Sequence, residues 1–181
     1  MHESNFGEFP SRIVSRLAGG GLNTRLASLI DIGREEDAGR EDSISKQIRH
    51  GIKYLDCILT FEYIVDFPHF LYIHVDKQGN EGINLREGKI NEVMKDPLRL
   101  IKDPLKRRRS RGISHLVSDG RFHMMGLTQG YHATIEFKVN LDADKDAVFD
   151  SFWLKFRPLL LYLKNPDKGE SSVEKNRTYM D

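Results

Sequence analysis

The chain has 181 residues and a formal net charge of +1, with 39% hydrophobic and 30% charged residues. That length suits one domain with tails and suffices to bury a sizeable core. One cysteine, Cys57, excludes an intramolecular disulfide framework and a cysteine-based zinc site, and makes a reducing compartment the default. No apolar run reaches the roughly 18 residues a membrane-spanning helix needs. The opening His2-Glu3-Ser4-Asn5 does not read as a signal peptide, so any membrane contact is expected to be peripheral.

Residues 1–42 read as a flexible arm. Gly19-Gly20-Gly21 breaks regular structure, and the charged stretch Gly33 to Asp42 reads as a linker. Between them, Leu22, Leu26, Leu29 and Ile30 form one stripe of a short predicted helix, capped by Asn23 or Thr24. That stripe is a candidate for docking into a groove on another copy.

A single domain is expected over 43–164. Leu55, Cys57, Leu59, Phe61, Tyr63 and Val65 alternate with polar residues, which predicts one long strand over Lys53–Asp66. Ile44, Ile48, Ile52 and Leu55 also fit a helical stripe, so a helix-to-strand switch is placed near Gly51. Phe67-Pro68 ends that strand, and Phe70–Val75 predicts a second, closed by the turn-rich Asp76 to Asn80.

Ile90 to Leu105 predicts one or two short helices leading into a basic, Gly-terminated loop. Lys-Asp-Pro-Leu occurs at 95–98 and again at 102–105, and each Asp-Pro is suited to open a helical turn. Ile113–Val117 and Arg121–Met125 predict a hairpin around Ser118-Asp119-Gly120. Tyr131–Leu141 alternates without a break and predicts an antiparallel strand with one wet face. Asp142 or Asp144 then caps an aromatic helix through Phe149, Phe152, Trp153 and Phe156, with Pro158 imposing a kink or restart. Residues 165–181 read as a disordered tail. The fold class is α+β, an antiparallel sheet with packed helices.

The strongest functional signal is charge. Lys95, Arg99, Lys102, Lys106, Arg107, Arg108, Arg109 and Arg111 lie in one segment with only Asp96 and Asp103 against them, so the segment carries +6 and the remaining chain −5. Such a patch points to a polyanion, either nucleic-acid phosphates or anionic lipid headgroups. The Arg and Lys mixture suits backbone contacts without base readout. A nuclear-import signal and a solvated loop are the competing readings.

Catalytic motifs are sparse. Gly19-Gly20-Gly21 lacks the Lys-Ser/Thr of a phosphate loop. His115, His123 and His132 are the candidates for convergence on a metal, against the ordinary reading as polar strand residues. Glu62 and Glu136 fall on the polar face, and Cys57 on the apolar one as a core thiol. The helix around Trp153 is read as core, with self-association through Trp153 as the alternative. No cofactor and no enzymatic activity are expected.

The run Gly130 to Asp142 (GYHATIEFKVNLD), followed by the helix with Trp153, resembles the C-terminal strand, acidic turn and helix of rhabdovirus matrix proteins. The strand ending in Phe67-Pro68 is similar to their first core strand. The chain lacks their Pro-Pro-Pro-Tyr budding motif and Lys-rich N-terminal tail, which fits a short, plant-virus-like member. The resemblance implies a homo-oligomeric structural protein of the virion and host cytoplasm, with the nucleus as a further location. It would condense the nucleocapsid and contact the inner envelope leaflet. A cellular or phage nucleic-acid-binding accessory module is the alternative.

Overall fold

Period-two patterning lays down the sheet, and burial of its apolar face decides where the helices stand. The computed structural model describes residues 8–19, 27–30, 35–37, 46–64, 69–77, 87–126 and 131–164. Among the described residues, seven antiparallel strands form one sheet: β1 (Ala27–Ile30), β2 (Glu35–Asp37), β3 (Lys46–Tyr54), β4 (Cys57–Ile64), β5 (Phe70–Lys77), β6 (Arg121–Gly126) and β7 (Tyr131–Lys138). Their order is β1-β3-β4-β5-β7-β6, and β2 pairs with the first residues of β3 while β1 pairs with its last. The helices are α1 (Phe9–Gly19), α2 (Glu87–Met94), α3 (Pro104–Ile113) and α4 (Lys145–Lys164), with 3₁₀ turns at Pro97–Leu100 and Ser114–Leu116. The architecture is α+β.

The long strand expected over Lys53–Asp66 is a hairpin. Leu55 and Asp56 turn the chain between β3 and β4, with Tyr54 opposite Cys57 and Leu55 at φ 54°. Tight hairpins need such left-handed backbone, usually from Asn or Gly. Here leucine occupies the position, and its apolar side chain continues the odd alternation, which hides the turn. The helix-to-strand switch expected near Gly51 is absent, since Lys46–Tyr54 is a single strand; Ile44 lies outside the described residues. The β-branched Ile48 and Ile52 suit a pleated strand better than a helix.

Ile52, Tyr54, Cys57, Leu59, Phe61, Leu71, Ile73, Val75, Phe122, Ala133, Ile135 and Phe137 are all buried on one face of the sheet. Against that face lies α4, whose first turn is capped by Asp144 Oδ2 accepting from Ala147 N at 3.1 Å. Phe152 meets Phe137 edge-on at 5.5 Å and Phe61 at 6.2 Å, and Phe156 meets Phe61 at 5.9 Å. Such edge-to-face pairs add about 0.5–1.5 kcal/mol each beyond area burial. Tyr54 Oη donates to Leu160 O at 2.7 Å, tying the helix to β3. Pro158 removes one helical hydrogen bond, yet α4 runs through it without a restart, buried from Ser151 to Leu163.

The expected arm is in part core. Phe9, Ile13 and Leu17 share one helical stripe and are 1%, 0% and 3% exposed. The Phe9 ring lies 5.2 Å from Phe149 and 4.8 Å from Phe152. The short helix expected at 22–32 is not formed at its end: Leu29 and Ile30 belong to β1, opposite Ile52 and Gly51. Leu22 and Leu26, like the expected tail at 165–181 and Phe67-Pro68, lie outside the described residues.

The hairpin expected around Ser118-Asp119-Gly120 is replaced by longer-range pairing. Ile113 ends α3, Ser114–Leu116 is a 3₁₀ turn, Val117 bridges Val139, and β6 pairs with β7. Gly120 passes over the core: a Cβ there would overlap the Phe137 ring and lie 2.8 Å from Ile135 Cγ2. The free edge of β6 is covered by α2. Asn91 Oδ1 accepts from Phe122 N at 2.8 Å, its Nδ2 donates to Phe122 O at 2.9 Å, and Glu87 accepts from Met124 N at 3.3 Å. These side chains occupy backbone groups that would otherwise recruit another strand.

Two outcomes follow for stability. Phe9→Ala should cost about 3–5 kcal/mol in urea unfolding, as for deletion of a core Phe, while exposed Ser15→Ala should cost under about 0.5 kcal/mol. An inconsequential Phe9→Ala would return this segment to a dispensable arm. Burial, with a smaller contribution from Cys57, holds the Tyr54 hydroxyl far above its ordinary ionisation range. The unfolded tyrosine ionises near pH 10, so this contribution to stability is fully present below about pH 10 and is lost as pH rises beyond it. Tyr54→Phe should flatten the alkaline fall in urea midpoint. An unchanged slope would contradict the buried assignment.

Candidate polyanion-binding site

The two Lys-Asp-Pro-Leu units fold differently. At the first, Asp96 adopts left-handed backbone (φ 51°, ψ 63°), makes no side-chain cap, and opens the 3₁₀ turn in which Pro97 and Leu100 are buried. At the second, Asp103 is extended and its Oδ1 accepts from Leu105 N at 3.0 Å, with Pro104 at the first helical position. Cap, proline and a run of good helix formers make the basic stretch a helix, α3, where a loop was expected.

One arginine among the eight cations holds the segment in place. Arg107 Nε donates to Ile101 O at 2.8 Å, and its Nη2 donates to the same carbonyl. This folds Arg107 back onto the chain leading into α3. Arg99 lies against α2, donating to Glu92 O at 3.4 Å. The side chains of Lys95, Lys102, Lys106, Arg108, Arg109 and Arg111 are exposed and make no hydrogen bond or ion pair among the described residues. Elsewhere the exposed Lys53, Lys89, Arg121 and Lys138 are scattered singly, and other cations are paired. Arg12 pairs with Asp146 at 3.0 Å, Arg16 with Asp150 at 2.5 Å, Lys77 with Asp56 at 3.0 Å, and Lys145 with Glu8 at 2.7 Å. No side chain of α3 is buried, and Leu105 is 67% exposed among the cations.

Between α3 and α4 lies a cleft of about 420 Å³. Lys106, Arg109, Ser110 and Ile113 of α3 form one wall, α4 and Arg16 the other, and Trp153 and Leu154 contribute apolar surface. Arg157, 5% exposed, belongs to the same lining. Trp153 is 4% exposed and stacks on Phe149 at 6.5 Å, with the Arg16 guanidinium 5.9 Å from its ring. As a buried ring of the monomer, it does not supply the free assembly face offered for it by sequence. Leu29 and Ile30 sit within the sheet backbone rather than on a helix.

The three candidate histidines are placed on separate elements. His115 stands in the 3₁₀ turn before β6, apart from exposed His123 and half-buried His132 on the polar sheet face. The close pair is His74 and His132, with ring centroids 5.5 Å apart. His132 Nδ1 lies 2.5 Å from Asp76 Oδ1, and His74 Nε2 lies 3.3 Å from Glu62 Oε2, which also accepts from Arg49 Nε at 3.0 Å. These pairs run between neighbouring strands, and the buried His74 Nε2 makes no hydrogen bond. Across the same face Arg49, Glu62, Tyr72, Glu136 and Arg121 form one row. Partial burial, then the Glu136 and Glu62 carboxylates, push the Tyr72 hydroxyl ionisation upward. Among the described residues no cluster of His, Cys, Asp or Glu is arranged to hold a metal.

Comparison with family models, curated proteins and solved structures found no match. The site therefore rests on its own chemistry. Sequence reasoning missed Arg157 and the cleft. The available signal was a pair of cations, Lys155 and Arg157, inside an otherwise apolar helix; Lys155 Nζ reaches Asp119 Oδ1 at 2.5 Å.

The cap gives the first test of this geometry. Asp103→Ala should destabilise α3 by about 1 kcal/mol, read as faster amide exchange over 105–113 with the sheet unchanged. Equal exchange in both proteins would show that the cap does not hold the basic helix.

Proposed function

We propose that this chain is a non-enzymatic structural protein of the matrix type, which self-associates and holds a polyanion through α3. One observation carries the reading: Lys106, Arg108, Arg109 and Arg111 on a preformed, capped helix, with Lys95 and Lys102 just before it, are exposed and make no side-chain pair among the described residues, and they stand together in one segment rather than scattered as the exposed Lys53, Lys89, Arg121 and Lys138 are. A folded protein has no internal use for charge displayed in this way, and self-repulsion within α3 is relieved by an external anion. Phosphate is the best counter-charge for such an Arg-rich surface.

The exposed Leu105 favours an anionic membrane as one of the surfaces met, because a leucine ringed by cations can enter the headgroup region while its neighbours hold phosphates. The nucleocapsid remains the second polyanion of this reading, contacted through its backbone. Association is with the virion and host cytoplasm, peripheral to membrane, with the nucleus open to a small basic protein. The alternative is a nucleic-acid-binding accessory module, cellular or phage, which would use the same helix as a monomer.

Replacing Lys102, Arg108, Arg109 and Arg111 together with Ala should abolish binding to RNA and to anionic vesicles at physiological salt. The log–log salt slope for nucleic acid should fall by roughly 0.7–0.9 per lost contact. The thermal midpoint should hold, since exposed substitutions shift stability by no more than about 0.5 kcal/mol. Leu105→Ser should weaken vesicle binding and spare RNA. Undiminished binding by the fourfold variant would overturn the reading, and strict monomers at high concentration in sedimentation would favour the accessory module.

A further inference from the structure

One hydroxyl stands within the basic helix, at the end of the run Arg107-Arg108-Arg109-Ser110. Ser110 is the one serine or threonine of the chain with arginine at both the second and the third position before it. Its side chain is half-buried and makes no hydrogen bond among the described residues. Nearby serines are placed differently. Ser114 has Arg111 three residues before it but Gly112 at the second position, and its hydroxyl donates to Arg111 O at 3.2 Å. Ser15 has Arg12 three residues before it, and that arginine pairs with Asp146 at 3.0 Å and lies over the Phe149 ring at 4.2 Å. The helix around Ser110 opens without exposing core, because no side chain of α3 is buried. Opening over 107–110 costs the local turns and the contact of Arg107 with Ile101 O, and Gly112 already weakens the last turn.

We propose that Ser110 is a phosphorylation site for an arginine-directed protein kinase, and that its phosphorylation loosens the hold of α3 on a polyanion. The site stands on its own chemistry, and only the effect rests on the polyanion reading. A kinase that selects basic substrates offers carboxylates to the guanidinium groups before the acceptor, and arginine answers with forked, charge-assisted hydrogen bonds. In the transfer, Ser110 Oγ attacks the γ-phosphorus of ATP. A new O–P bond forms, the bond from that phosphorus to the bridging oxygen breaks, ADP leaves with that oxygen, and the hydroxyl proton passes to the carboxylate base of the kinase. Nothing is oxidised or reduced. Phosphoserine carries about −2 at neutral pH, so the segment 95–111 falls from +6 to about +4. The added charge lies one helical turn from Lys106 and beside Arg109 and Arg111, where it competes with an external anion for the same cations. Charge added inside a basic binding element is the means by which such elements release anionic surfaces.

The intact protein is incubated with ATP, Mg²⁺ and the catalytic subunit of cAMP-dependent protein kinase as the arginine-directed probe. Incorporation should approach one phosphate per chain and map to Ser110 by fragment mass spectrometry. Ser110→Ala should remove it and Ser114→Ala should leave it unchanged. Arg108→Ala should slow it by about tenfold, the scale of one lost charge-assisted contact. The exposed Arg108 side chain makes no contact of its own among the described residues, so that variant reads recognition and not folding. Phosphorylated and unmodified proteins are then compared on RNA and on phosphatidylglycerol vesicles. With two contacts neutralised, the log–log salt slope for RNA should fall by roughly 0.7–0.9 per contact, or about twentyfold weaker binding at physiological salt. Ser110→Ala should bind as the unmodified protein does, and Ser110→Asp, with one added charge, should lie between. No phosphate at Ser110, or equal rates for Arg108→Ala and the parent, would overturn the site. Full phosphorylation with unchanged RNA and vesicle binding would overturn the switch. Failure of the unmodified protein to bind either polyanion, with Ser110 still modified, removes the polyanion reading and the switch that rests on it, while the site stands.

Discussion

Burial of α4 against the apolar face of the sheet is the constraint on which the other elements depend. Its rings reach in two directions: Phe152 and Phe156 contact Phe61 and Phe137 on the sheet, while Phe149 and Phe152 receive Phe9 from α1. Without α4 between them, the sheet and α1 share far less apolar surface to bury. Close packing of large rings leaves few alternative arrangements, because each methylene displaced in a dense interior is felt by its neighbours. The helix therefore acts as the datum from which the position of α3 is set.

Charge is distributed accordingly. Acids at the start of α4 are matched by Arg12 and Arg16 of α1, and Lys155 on the buried helix by Asp119. These pairs lie around the core and close local accounts. The cations of α3 have no such partners, and the Asp103 cap and the Arg107 staple keep them on a formed helix at low cost. A preorganised cationic helix loses little conformational entropy when an anion arrives, whereas a floppy basic loop of the same composition loses more. This is the physical reason to read the segment as a binding element.

Where local pattern and tertiary packing agreed, the sequence was legible. Ala133, Ile135 and Phe137 alternate and are buried, Phe149 to Leu163 is an apolar helix, and the basic segment is exposed, all readable from residue type and spacing. The Leu55-Asp56 hairpin was not, because leucine in a left-handed turn carries no turn signature. The α1 helix was obscured by its neighbours. Gly19 to Gly21 and the charged stretch after it suggested an arm, although Phe9, Ile13 and Leu17 already shared a helical face. Charge density marked Lys106 and Arg109, but their meeting with Arg157 across a cleft is a long-range property of the fold. No spacing along the chain announces it.

Lysine footprinting offers the most direct test of the central claim. The protein is acetylated at limiting reagent with and without RNA, and separately with anionic vesicles, and each lysine is quantified by mass spectrometry. Lys102 and Lys106 should be selectively protected by the polyanion, while Lys53 and Lys138, exposed on the sheet, react as in the free protein. Uniform protection of all four, or protection of the sheet lysines with α3 left reactive, would contradict the assignment of α3 as the polyanion-binding element.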